Sequence, residues 1–420
     1  MQRSEKLLYL LTILLITALF ITGMALEGPL EVVKQVVSLQ KESARLINDF
    51  TLYGIGTAMF NAASVGSLGL VLVYFATVSL SGPTLSAILT MMGFAFFGNT
   101  LLNCIPLILG VWFASKLARK TFGSYSLIAL FGTALGPLVT YVMFALDLPH
   151  HLSIPLGLLS GMLAGFILPA VAGSMLQLHQ GYNLYNIGFS CGFIGLFAAN
   201  LLLALNRMQA ITVTWNTAFS LPLVLIVPLF SLLLMATALI VDKPKRSFEG
   251  FLAIQKLTGR LPYDFFDTGY FGGTLLNIGL LGLLYWAYVL AVGGPINGPV
   301  IGGLFTIMAF GGFGKTLRNT VPVVTGVILS TLVFAKSPTA PSPLLAALFS
   351  TTLAPIAGQF GVIAGLLAGF IHLVMVEVTA SWHAGLDLYN NGFAGGLTAS
   401  LFIAILQWYK TNRPKEDFTT

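Results

Sequence analysis

The stretch His179-Gln-Gly-Tyr-Asn-Leu-Tyr-Asn-Ile-Gly-Phe-Ser-Cys-Gly192 is written a second time, with changes, as His383-Ala-Gly-Leu-Asp-Leu-Tyr-Asn-Asn-Gly-Phe-Ala-Gly-Gly396. Each copy opens an apolar run long enough to cross a bilayer. Each also follows a run carrying Leu-Ala-Gly-Phe, at Leu163 to Phe166 and Leu367 to Phe370. Polar groups in hydrocarbon are costly unless paired. A polar cluster repeated in corresponding places of two halves therefore points to a path for a solute.

Composition fixes the class. Hydrophobic residues make up 56% of the chain, charged residues 8%, and the mean hydropathy is +0.90. Soluble domains carry about 25% charged residues. The reading is an all-α polytopic membrane protein, because a helix satisfies its own backbone in lipid. The net charge of +6 does not call for nucleic acid, since the basic residues cluster between apolar runs and act as topology signals. Cys104 and Cys191 lie inside apolar runs, which argues against a disulfide framework, and no metal or cofactor is expected.

Working outward, the two halves stay in step at a shift of about 216 residues. Asn61 matches Asn277, Gly82-Pro83 matches Gly298-Pro299, and Phe97-Gly-Asn-Thr100 matches Phe313-Gly-Lys-Thr316. Arg3 and Lys6 before the run Leu7 to Ala25 resemble a secretory leader. That run, however, matches the internal run Pro222 to Ile240, so a retained helix is expected. The predicted organisation is a first repeat over 1–209, a second over 210–410 and a cytoplasmic tail over 411–420. Amphipathic stretches near 30–48 and 245–262 are expected to lie in the interface.

About 14 hydrophobic segments fall in two sets of seven, some of them short of the ~20 residues a span needs. The short ones, such as Pro83 to Phe97, Leu101 to Ser115, Pro299 to Phe313 and Val321 to Ala335, are expected to be tilted, broken or re-entrant. Two odd sets in tandem enter the membrane from opposite sides, which is the architecture of inverted-topology repeats. The clusters Lys116 to Lys120, Lys243 to Arg246 and Lys410 to Lys415 then all fall inside, with both termini cytoplasmic in a bacterial inner membrane. Lys315 and Arg318 read as further inside-face charges, and Arg207 and Lys336 do not fit.

The candidate substrate-binding residues are His179, Asn183, Tyr185 and Asn186 with His383, Asp387, Tyr389 and Asn390, joined by Asn61 and Asn277. Asn offers donors and acceptors together, which suits a small polar neutral or zwitterionic solute. The competing reading is that Tyr-Asn-x-Gly-Phe caps its helix and packs the halves together. Asp387 stands where the first half has Asn183, and Glu377 where it has Gly173. Acids at membrane depth are candidate ion-coupling residues, for a proton or sodium. Walker-type, His-Glu-x-x-His and serine-elbow motifs are absent, so an enzyme is not expected.

The paired Leu-Tyr-Asn-x-Gly-Phe segments in a duplicated chain resemble a family of bacterial integral membrane proteins classed as a domain of unknown function, a resemblance that implies no activity. Phe60-Asn-Ala-Ala-Ser-Val-Gly66 with Leu184-Tyr-Asn-Ile-Gly-Phe189, and Leu276-Asn-Ile-Gly-Leu-Leu-Gly282 with Leu388-Tyr-Asn-Asn-Gly-Phe393, are more remotely similar to the paired elements of urea transporters. Their Pro-Leu-Thr core is missing. The expected function is a carrier or facilitator for a small polar solute. The rivals are an uncoupled urea-transporter-like channel and a membrane scaffold or enzyme. Homo-oligomers are compatible with all three.

Overall fold

The computed structural model describes residues 3–412, so most of the expected tail 411–420 lies outside the described residues. Among the described residues every regular element is helical. The first half runs α1 (Arg3–Glu27), α2 (Pro29–Leu39), α3 (Ile55–Phe75), α4 (Gly82–Phe94) and α5 (Leu101–Leu117). It continues with α6 (Ser126–Gly132), α7 (Gly136–Phe144), α8 (His150–His179) and α9 (Asn186–Ala204). The second half repeats the order as α10 (Leu221–Val241), α11 (Pro244–Ile254), α12 (Phe271–Ala291), α13 (Gly298–Phe310) and α14 (Leu317–Val333). It closes with α15 (Pro341–Phe349), α16 (Ala354–Phe360), α17 (Val362–Trp382) and α18 (Asn390–Asn412).

Ten stretches are long and apolar enough to cross a membrane, and α4, α5, α13 and α14 are shorter apolar helices. The chain is a polytopic membrane protein. Two of the ten stretches are broken: α6 and α7 are separated by the tight turn Thr133–Leu135, and α15 and α16 by Ser350–Leu353. The expected amphipathic stretches are shorter than read, since α2 ends at Leu39 and α11 at Ile254. Past Leu39 the chain turns inward, where Phe50 and Asp49 are fully buried.

Each pair of short helices is joined through a buried turn, α4 to α5 and α13 to α14, but their packing partners lie elsewhere: α4 packs on α13, α5 on α8 and α14 on α17. Capping explains the turns. Thr100 Oγ1 accepts from Asn103 N at 3.3 Å while Asn103 Oδ1 accepts from Thr100 N at 2.9 Å, and Thr316 and Asn319 repeat this at 3.2 and 2.8 Å. Asn61 Nδ2 donates to the carbonyls of Ala95 and Asn99 at 2.7 and 2.8 Å. Asn277 Nδ2 donates to those of Gly311 and Lys315, both at 2.8 Å. Ala95 and Gly311 are the C-caps of α4 and α13, and Asn99 and Lys315 lie just before α5 and α14, so each asparagine ties the two ends of a turn together.

The halves meet through reciprocal contacts. Helices α4 and α13 run antiparallel: Ser86 Oγ donates to the Ala309 carbonyl at 2.7 Å, and Gly93 abuts Gly302. Asp264, from the second half, accepts from the N–H of Gly82 at the start of α4 at 3.1 Å. Asp49, from the first half, accepts from the N–H of Gly298 at the start of α13 at 3.2 Å. Each half thus caps the N-terminus of a short helix of the other. The Leu-Ala-Gly-Phe segments have a packing role. Gly165 sits on the backbone of Leu107 and Gly369 on that of Val323, letting α8 and α17 lie close to α5 and α14.

Candidate functional site

The repeated motif begins where α8 and α17 end. Gln180 (φ 51°) and Gly181 (φ 83°) are left-handed, as are Ala384 (φ 51°) and Gly385 (φ 72°). That conformation suits glycine and turns the chain back into the protein instead of out to water. A His–Asn pair braces each turn. His179 Nε2 donates to Asn186 Oδ1 at 2.9 Å, and Asn186 Nδ2 donates to the Ala172 carbonyl at 3.2 Å. His383 Nε2 and Asn390 Oδ1 are 3.0 Å apart, with Asn390 Nδ2 on the Val376 carbonyl at 3.0 Å.

Each loop then enters the broken helix of the opposite half. The N–H of Leu184 donates to the Thr352 carbonyl, and that of Leu388 to the Ala134 carbonyl, both at 3.0 Å. Unwound turns leave such carbonyls free, so the break and the motif satisfy one another. Helices α9 and α18 next cross where Gly188 abuts Gly392. At Gly192 and Gly396 a side chain would collide with Phe393 and Phe189 respectively. The crossing puts the Tyr185 and Tyr389 ring centroids 4.6 Å apart, both side chains buried. Neither tyrosine faces lipid, and the two motif copies form one centre.

The two copies differ in what they leave unpaired. In the first, Asn183 Oδ1 accepts from Tyr185 N at 3.2 Å and from the Thr352 hydroxyl, while Nδ2 donates to the Gly392 carbonyl at 3.1 Å. The Tyr185 hydroxyl accepts from Lys315 Nζ, and His179 Nδ1 accepts from the N–H groups of Gly181 and Asn183 at 3.2 and 3.3 Å. In the second, Asp387 Oδ1 accepts from Tyr389 N at 2.9 Å, but among the described residues Oδ2 has no hydrogen-bond partner. The Tyr389 hydroxyl and His383 Nδ1 also have none. Sequence explains this. Ala134 stands where the second half has Thr352, so no hydroxyl meets Asp387. Asn99 stands where it has Lys315, and its Nδ2 donates to Thr133 Oγ1 at 3.1 Å. Each buried unpaired group costs about 1–3 kcal/mol.

Lys315 is therefore not the inside-face charge its sequence position indicated. It is fully buried in the turn between α13 and α14, its Nζ 4.6 Å from the Tyr185 ring centroid and 5.0 Å from that of Phe310. Hydrogen bonding to a phenol and two aromatic faces replaces part of the lost hydration.

A cleft of about 630 Å³ opens beside the linker between the halves and the α14–α15 loop, and its wall includes Asn390, Asn391 and Glu377. Asn391 Oδ1 is 3.0 Å from His372 Nε2, which gives that histidine a packing partner. Glu377 does not join Asp387: it forms an ion pair with Lys336 at 2.9 Å on the cleft wall, whereas Asp387 is fully buried. Among the described residues no group of three His, Cys, Asp or Glu side chains is placed to hold a metal ion.

The family described as protein of unknown function (DUF1576) matches residues 28–204 and again 243–408. The chain belongs to this family. The two matches fall one on each half, so the DUF1576 unit is present twice. No curated protein and no solved structure matches the chain. The resemblance to urea transporters therefore stays with the quoted motifs alone.

Two residues of this DUF1576 chain escaped the sequence reading. Arg45 donates to the carbonyls of Gln209 and Ala384 at 3.0 and 3.3 Å, and its guanidinium lies 4.8 Å from the Tyr141 ring centroid. Arg260 Nε donates to the Gln180 carbonyl at 2.7 Å, 4.5 Å from the Tyr182 ring centroid. Each arginine ties its own half to the motif loop of the other. Their equivalent positions in the repeat were the available signal.

Proposed function

We propose that the protein is a transporter that carries a small polar solute along a path between two halves set in the membrane with opposite orientation. The observation that carries this reading is the cleft, whose wall includes Asn390 and Asn391 of the motif copy that leaves Asp387, Tyr389 and His383 with unpaired atoms. Broken helices and helix ends meeting between repeats are the means by which secondary transporters bring polar groups to a solute. Opposite orientation is supported by the reciprocal contacts. Equivalent helices α4 and α13 run antiparallel, as expected of two repeats related by an axis in the membrane plane. On this reading the clusters at Lys116 to Lys120 and Lys243 to Arg246 face the cytoplasm of a bacterial cell, together with both termini.

Asp387 is the coupling residue of the proposal, binding a proton or sodium at its unpaired oxygen. The remaining motif residues hold the loops that present it. The test is uptake by purified protein in liposomes, with a panel of radiolabelled polar metabolites and an imposed proton or sodium gradient. Saturable uptake that follows one gradient and loses that dependence in Asp387→Asn is expected. Uptake of no solute under any gradient, by protein shown to be folded, would overturn the proposal.

A further inference from the structure

We infer that the cleft is a site for a small zwitterion of the α-amino-acid class, its carboxylate meeting Lys336 and its ammonium meeting Glu377. This rests on the transporter reading above and narrows its substrate. The two side chains sit on the same wall, Nζ and Oε2 2.9 Å apart, so opposite charges are presented at the separation of a single ion pair. Both remain partly open to solvent, with side-chain exposures of 34% and 26%, and neither has another ion-pair partner among the described residues. A pair of this kind is weak by itself, and a zwitterion that inserts between the charges exchanges one salt bridge for two.

The rest of the wall fits such a molecule. Asn391 brings an amide, Ser337 and Ser381 hydroxyls, and Leu345 and Val376 apolar surface for a side chain, while the Asn390 amide is held by His383, Thr379 and the Val376 carbonyl. The volume of about 630 Å³ lies in the range of small-molecule sites. The charge pair is confined to the second half. Gly173 stands at the place of Glu377, while Lys120, at the place of Lys336, is exposed. A pair needed only to stabilise the fold would be expected in both copies.

The test separates charge from shape with ligands that share one side chain. L-Leucine (zwitterion), isopentylamine (ammonium only) and 4-methylpentanoate (carboxylate only) are titrated against the full-length protein in detergent by calorimetry. Glycine, L-serine and L-phenylalanine test side-chain size, and urea serves as a neutral polar control. Binding by at least one amino acid is expected, with a loss of tenfold or more in affinity when either charge is absent from the ligand. Lys336→Gln and Glu377→Gln should each weaken amino-acid binding by a similar factor while the melting midpoint changes little. Binding of urea or of a singly charged ligand, unaffected by both substitutions, would overturn the zwitterion assignment and leave the transporter reading standing. Absence of binding by every amino acid overturns the assignment. If no solute of any class is taken up in liposomes either, the transporter reading fails with it.

Discussion

Asp387→Asn is expected to make the protein more stable and less able to use an ion gradient. In the first copy Asn183 occupies the equivalent position, and its Nδ2 donates to the Gly392 carbonyl at 3.1 Å. By the repeat, Gly188 is the counterpart of Gly392, and its carbonyl is the acceptor expected for an asparagine at 387. The substitution removes a fully buried carboxyl oxygen that has no partner and adds one amide hydrogen bond. Leaving a buried polar atom unpaired costs about 1–3 kcal/mol, and a typical hydrogen bond contributes about 0.5–1.5 kcal/mol net. A stabilisation of about 1.5–4.5 kcal/mol is the sum of the two terms, since Oδ1 keeps the hydrogen bond it already accepts from Tyr389 N–H. The assay is the melting midpoint in detergent, read from intrinsic tryptophan fluorescence, beside gradient-driven uptake in liposomes. A rise in the midpoint with loss of gradient dependence is the expected pair of results. A fall in the midpoint with transport intact would refute the reasoning, because Asp387 would then be a structural residue with a partner.

Three further outcomes test the same geometry. Tyr185→Phe should cost about 1–3 kcal/mol, since it removes the hydroxyl that accepts from the buried Lys315 Nζ, whereas Tyr389→Phe should raise stability by about 1–3 kcal/mol because its buried hydroxyl has no partner among the described residues; melting midpoints of the two variants give the comparison. Thr352→Ala removes a hydroxyl that donates to Asn183 Oδ1 and accepts from Tyr185 N at 3.0 Å, so a loss of about 2–4 kcal/mol is expected by the same measurement. Gly396→Ala should destabilise by about 1–3 kcal/mol through overlap with the Phe189 ring, and Phe189→Leu in the same chain should recover part of the loss.

Much of this arrangement was legible in the sequence, and the parts that were not share a cause. Helices and the duplication follow from apolar runs and from ordered matches such as Asn61 with Asn277, which are local or pairwise features. The short segments could be recognised as too short to span, and they fold as short helices joined by buried turns. Lys315 was misread because a lysine after an apolar run carries the pattern of a topology signal. It becomes a core residue only when the turn between α13 and α14 is covered and Tyr185 arrives from the other half. Likewise Ala134 and Thr352 are unremarkable in sequence, and their difference matters because each faces the motif of the opposite repeat. Arg45 and Arg260 look like surface charges until the loops they hold are in place. Contacts between the halves decide the site, and a pattern read along one strand of sequence does not contain them.

The proposal depends most on the opposed orientation of the two halves, and side-specific cysteine labelling in sealed vesicles tests it directly. Thr121 and Ser337 occupy equivalent, exposed positions after α5 and α14, and both native cysteines, Cys104 and Cys191, are buried. With Thr121→Cys and Ser337→Cys in separate chains, a membrane-impermeant maleimide should label one from the cytoplasmic side and the other from the opposite side. Labelling of both from the same side would contradict the inverted arrangement and the shared path built on it.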